Sequence, residues 1–237
     1  PPCVAANQAL DAWYPLQGNT AALMRVHVWW PAGDDPMYWA NVEDAQFLHG
    51  MTPTSVNGVP TLYLDNKWDA WDLSWGSWEE GIELIYGMSA AAPSPLGVEL
   101  GYNADSGNVE VMVNVVNAMG EGDYRLFVGV TDDGIEALGP NGEPVHNQAF
   151  RMLYPGHEGI AISTDPGMAV HEVAVALDET WVFENLRAVA WVQNYPGGEV
   201  INCGTVFLSE GVVSIDDDYV NDEVEDNNTP ALVTAVK

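Results

Sequence analysis

Seven β-prone runs, 96–103, 108–118, 123–131, 145–153, 168–177, 186–195 and 199–208, follow one another with Gly, Pro, Asn and Asp in the gaps. Short strands with turn residues at that spacing bury their apolar faces most simply as two packed antiparallel sheets, so this stretch predicts a β-sandwich. Pro93-Ser94-Pro95 marks its start. Upstream the pattern is mixed. Ala6, Leu10, Trp13 and Tyr14 share one face at helical spacing and predict a helix over 4–14 that Pro15 stops. The apolar run 21–30 predicts a buried strand, and Asp35-Pro36 opens a second helix that ends near Gly50. Gly58-Val59-Pro60-Thr61 leads into a short strand that begins at a proline, a residue placed at a strand start, at an edge or in a cis bond. Glu79 and Glu80 open a third helix over 77–92. The expected class is therefore α/β followed by all-β, divided as 1–93, 94–210 and an acidic tail 211–237 that contains one short β-prone segment.

Charge narrows the function. The chain has 6 Lys+Arg against 35 Asp+Glu, a net charge of −29. A surface this acidic repels phosphate polyanions, and six scattered cations build no basic patch, so nucleic acid is excluded as a partner. At 47% hydrophobic the chain still has the apolar material for a core. No run approaches the roughly 20 apolar residues of a membrane helix, so no membrane span is expected. Without an initiator Met or an apolar leader, Pro1 reads as a processed terminus or a cut edge.

Motifs for chemistry are sparse. His157-Glu158 and His171-Glu172 lack the second histidine of a zinc hydrolase, and no serine-hydrolase, phosphate-loop or dinucleotide signature occurs. His146 reads as a strand histidine bonded across its sheet. Cys3 and Cys203 are the two cysteines, 200 positions apart, and form the candidate disulfide. Seven of the ten tryptophans, Trp29, Trp30, Trp39, Trp68, Trp71, Trp75 and Trp78, crowd fifty residues. Trp68, Trp71, Trp75 and Trp78, set among aspartates, are candidates for a carbohydrate or peptide platform, against a packing or interface role. The carboxylates of Asp65/Asp69/Asp72, Asp132/Asp133 and Asp216/Asp217/Asp218 suit calcium by oxygen chemistry but fit no EF-hand spacing; the last three are the metal candidate, and no other cofactor is expected.

The Gly58–Thr61 segment sits where a thioredoxin-like domain carries its cis-proline, and Pro1-Pro2-Cys3 looks like the end of a Cys-Pro-Pro-Cys motif. Further on, Val145-His146-Asn147-Gln148-Ala149-Phe150-Arg151, the stretch from Trp181 through Glu184–Asn194, and Glu199-Val200-Ile201-Asn202 occur in order. Together these resemble the Omp28-related family of bacterial secreted or outer-membrane-associated proteins, over about residues 1–209. The resemblance implies a thioredoxin-like domain followed by an immunoglobulin-like β-sandwich, and an extracellular or outer-membrane setting. It also implies that Cys3 and Pro60 serve a thiol–disulfide oxidoreductase if a cysteine stands upstream of Pro1. No defined activity transfers with it.

The tail lies outside the resemblance. Its acidic tract cannot fold alone, while Ala231, Leu232, Val233, Thr234, Ala235 and Val236 form a strand-prone run suited to adding to a neighbouring subunit's sheet edge. The expected function is a secreted or cell-surface structural protein that self-associates through this tail, as a filament subunit, or that joins other protein partners. The alternatives are the oxidoreductase and the carbohydrate- or peptide-binding module.

Overall fold

In the computed structural model the described residues are 2–18, 20–29, 34–53, 58–69, 76–210 and the backbone of 231–236. Helix α1 (Pro2–Trp13) precedes strand β1 (Ala21–Val26), every residue of which is buried. The single helix expected after Asp35 is two, α2 (Pro36–Ala40) and α3 (Val42–Gly50). Asn41 divides them. Its extended backbone breaks the helix, its Oδ1 accepts from the Asp44 amide at 3.3 Å, and its Nδ2 donates to the Arg151 carbonyl at 3.0 Å. Strand β2 (Thr61–Leu64) follows a cis Val59–Pro60 bond and turns through Asp65 and Asn66, both at positive φ, into β3 (Trp68–Asp69). Helix α4 (Trp78–Ala90) is capped by Ser77, whose side chain accepts from the Glu80 amide at 3.3 Å.

Beyond Pro95 the chain is strand after strand: β4 (Leu96–Asn103), β5 (Asn108–Val115), β6 (Tyr124–Asp132), the short pair β7 (Ile135–Glu136) and β8 (Val145–His146), then β9 (Ala149–Tyr154), β10 (Ile160–Ala161), β11 (Gly167–Ala174), β12 (Leu186–Asn194) and β13 (Val200–Phe207). The run expected as one strand over 145–153 is split. Gln148 adopts φ +46° and its amide turns to donate to Asp133 Oδ1 at 2.6 Å. Last comes β14 (Ala231–Val236).

One sheet has the order β13-β12-β6-β9-β1-β14-β2-β3, with β10 beside β6, and a second has β11-β5-β4. The two face each other over a core of Leu96, Val111, Val113, Val128, Val130 and Leu186. Their edges meet where Asn202 Nδ2 donates to the Leu96 carbonyl at 2.7 Å and Ser94 Oγ to the Ile201 carbonyl at 3.0 Å, which nearly closes a barrel. Gly204 lies at this seam: a Cβ there would sit 2.6 Å from Leu100 Cδ2 and 2.9 Å from the Val98 carbonyl oxygen. A Gly204→Ala variant is accordingly expected to lose about 1–3 kcal/mol by overpacking, read as a lower urea midpoint.

The strand boundary at Pro93–Pro95 is not a packing boundary. Strand β1 joins the larger sheet beside β9 in parallel, with Arg25 opposite Ala149 and the Arg25 amide donating to the Gln148 carbonyl at 2.9 Å. A second core cluster combines Met24, Tyr38, Leu48 and Tyr63 from the first third with Phe127, Phe150, Trp191 and Cys203 from the strands beyond. On the opposite face of β1 and β2, α1 and α4 cover a third cluster through Leu10, Trp13, Ile82 and Ile85.

Candidate functional site

The alternation of side chains along β1 sends Ala21 and Leu23 toward α1 and α4, and Ala22, Met24 and Val26 toward the shared core. Strand β2 does the same with Leu62 and Leu64 on one face and Tyr63 on the other. The sheet places a gap one strand wide between them, and β14 fills it. It pairs in parallel with β1 from Ala21↔Ala231 to Val26↔Val236, and antiparallel with β2 from Val236↔Thr61 to Val233↔Leu64. The tail strand was expected on the edge of a neighbouring subunit's sheet; it lies in the interior of the chain's own sheet, where both of its edges are used.

The sequence-expected residues fall in different places. Cys3 lies in the first turn of α1 and is half-buried. Cys203 lies in β13, in the core against the opposite face of β1, where burial pushes its thiol well above the ordinary range. Of the candidate disulfide partners, Cys3 thus lies on the helix that covers one face of β1, and Cys203, on a strand of the same sheet, lies in the core on the other face of β1. Pro60 forms its cis bond at the head of β2. Trp68 and Trp78 pack against the α1–α4 core, while Trp71 and Trp75 of the candidate platform lie outside the described residues. Asp216, Asp217 and Asp218 also lie outside the described residues, and among those described no group of three His, Cys, Asp or Glu side chains is placed to hold a metal. Asp65 instead hydrogen-bonds Ser89, and His146 Nε2 meets the Ala137 carbonyl at 3.0 Å, the bonded strand histidine expected.

One constellation escaped the sequence reading. Three of the six basic side chains gather where β1, β6, β9 and β12 meet. Arg25, only 1% exposed, reaches Asp11 at 2.5 Å; Arg151 pairs with Asp132 at 2.7 Å; Arg187 lies 3.5 Å from Asp133. Burial raises the Asp132 carboxyl, with Arg151 pulling it back. Beside them His27 Nδ1 bonds Asp35 at 2.7 Å, and the His27 and His146 rings meet edge to face at 5.3 Å. The signal available in the sequence was scarcity: in a chain with so few cations, a buried arginine needs a particular acid.

Burial acts to raise the Asp35 carboxyl, but the His27 hydrogen bond and charge and the Met37 amide outweigh it and hold it below the ordinary 3.8. A depressed carboxyl contributes stability that is present above its unfolded pKa and lost as pH falls through the folded one. Asp35→Asn, which keeps an acceptor for the α2 cap, should lower stability at neutral pH and flatten the decline below about pH 4, measured by urea unfolding from pH 3 to 6.

The fold and the slot define a mostly β protein in which a two-sheet unit is extended, through β1, by a helix-covered sheet that the C-terminal strand completes. No protein-family model matches the chain, and no curated protein matches it. Among solved structures it is similar to HBP35 of Porphyromonas gingivalis, with TM-score 0.61 and 15% identity over 81% of this chain, which spans 66% of that one. At that identity the likeness is one of fold. A domain of the outer membrane lipoprotein Omp28 from the same organism aligns with TM-score 0.30 and 14% identity, over 48% of this chain and 87% of that domain, too low a similarity to carry an argument.

Proposed function

We propose that the protein is a bacterial cell-surface structural subunit that self-associates by passing β14 into the β1–β2 slot of another copy. The observation that carries this reading is the interior position of β14. A strand that supplies both neighbours' missing hydrogen bonds, and that arrives after twenty intervening residues, is an exchangeable element. Handed to a second copy it makes the same contacts, which is the logic of domain swapping and of strand donation. Residues 211–230 carry seven carboxylates and no cation, and fully extended they span roughly 66 Å. Exchange in one direction, end to start, is a head-to-tail contact and builds an open filament. The first third is read as a thioredoxin-like scaffold and the two-sheet unit as immunoglobulin-like, as in the Omp28-related family. This arrangement and the surface setting both rest on that family resemblance.

Light scattering on the intact chain tests the reading. A mass that rises in multiples of 25.7 kDa with concentration is expected, and a constant 25.7 kDa up to millimolar concentration overturns it.

A second reading, an extracytoplasmic thiol–disulfide oxidoreductase, is favoured by one observation, the cis Val59–Pro60 bond in a chain that carries Cys3 in the first turn of a helix. It requires a cysteine joined upstream of Pro1. Insulin reduction by a chain extended with that cysteine, lost on Cys3→Ser, is its test.

A further inference from the structure

We propose that the open edge of β11 takes up an extended segment of a basic partner protein as a further antiparallel strand, one that alternates apolar, any, apolar, any, Lys or Arg. This edge belongs to the smaller sheet, whose order β11-β5-β4 leaves β11 outermost. It is separate from the β1–β2 slot and does not depend on assembly.

The backbone sets what can bind. Strand β11 stays in register with β5 over all eight of its residues. The Val175 amide donates to the Gly107 carbonyl at 3.2 Å, which puts the odd-numbered residues of β11 in the hydrogen-bonded pairs with β5. The ladder on the other side of β5 agrees. There the Val116 amide donates to the Pro95 carbonyl at 2.9 Å, so the even-numbered residues of β5 bond β4 and its odd-numbered ones face β11. Met168, Val170, Glu172 and Ala174 therefore point their N–H and C=O groups away from β5, and among the described residues no strand pairs with them. Donors and acceptors repeating at every second residue are complementary to another extended backbone. Sheet edges are ordinarily blunted by Lys, Pro or a bulge, and β11 has none of these.

The side chains set the partner's chemistry. Met168 and Val170 are 46% and 48% exposed, on the face opposite to the one that Val173 buries in the core. Two positions on, Glu172 lies directly opposite Glu110, a pair of like charges that is destabilising across two strands. Each carboxylate is met by a neutral amide, Asn108 Nδ2 donating to Glu172 at 3.2 Å and Asn103 Nδ2 to Glu110 at 2.9 Å. Glu99 shares this face, and β4, β5 and β11 contain no Lys or Arg. A basic side chain set beside Glu172 compensates this charge, and apolar ones beside Val170 and Met168 cover the exposed pair. On an antiparallel strand these fall in the order apolar, apolar, basic at every second residue. A second copy of the chain is disfavoured, since it brings a net charge of −29 to the same carboxylates.

The test is fluorescence anisotropy of the labelled peptide Ser-Val-Thr-Val-Thr-Lys-Ser, with the full chain titrated from micromolar to millimolar concentration. Saturable binding is expected, weakened roughly fivefold when the peptide Lys is replaced by Glu, and that preference should reverse on the Glu172→Lys chain. Methylating the amide nitrogen of the second peptide Val, which faces Val170, should weaken binding roughly tenfold, while methylating that of the following Thr, which faces solvent, should leave it in place. Three results overturn the proposal: no saturable binding, an equal loss from the two methylated peptides, or a preference for Lys that survives Glu172→Lys. A signal that falls as the chain concentration rises, as it would if a second copy took the edge, overturns it too.

Discussion

Truncation after Glu210 is expected to unzip the larger sheet between β1 and β2. Strand β14 is the partner of both, and without it Ala21–Val26 and Thr61–Leu64 have no bonded neighbour at the slot. The loss propagates. Leu23, Leu62 and Leu64 anchor the α1–α4 core on one face, while Met24 and Tyr63 sit in the shared core on the other. A destabilisation above about 4 kcal/mol is expected, beyond the range of ordinary single-site changes. Urea unfolding measures it, and amide exchange localises it: the amides of Met24 and Tyr63 should lose protection, and a synthetic 231–237 peptide should restore it. Protection retained in the truncated chain would show that β14 is dispensable to the sheet.

The second large effect is expected at Phe127. It is fully buried in β6 and packs against Phe47 from α3 at 6.1 Å, Trp191 from β12 at 5.5 Å and Tyr195 at 6.3 Å. It therefore joins the helix-covered part to the two-sheet part. Phe127→Ala removes a ring that little nearby material can replace, at a cost of about 3–5 kcal/mol. Because the cavity opens in the core that both parts share, tryptophan fluorescence and far-UV circular dichroism should report one coincident transition at a lower urea midpoint. Two separated transitions would mean that the parts on either side of Pro93–Pro95 fold independently.

How far the sequence foretold this arrangement varies by element. Strands β4, β5, β6, β11, β12 and β13 were legible because period-two patterning and Gly, Asn or Asp punctuation agree at each boundary. The split at Asn41 was not, since a capping side chain inside a helical pattern shows its effect only when a partner such as the Arg151 carbonyl is in place. Strand β1 was legible as buried, but a strand apolar on both faces does not reveal its neighbours, and both of its neighbours, β9 and β14, lie more than 120 residues away. The 231–236 run was legible as a strand; its partners were not, because an interior slot is defined by the strands around it. The gathering of Arg25, Arg151 and Arg187 was not legible for a related reason. Ion pairs that join separate elements are products of tertiary packing, and no spacing in the sequence encodes them.

The exchange of β14 between copies is tested most directly by placing cysteines at the paired positions Val26 and Val236 in a Cys3→Ser background, oxidising at high protein concentration and weighing the products without reductant. Exchange predicts covalent multiples of 25.7 kDa, joined end to start. A product confined to 25.7 kDa, with both new cysteines bridged inside one chain, would contradict it.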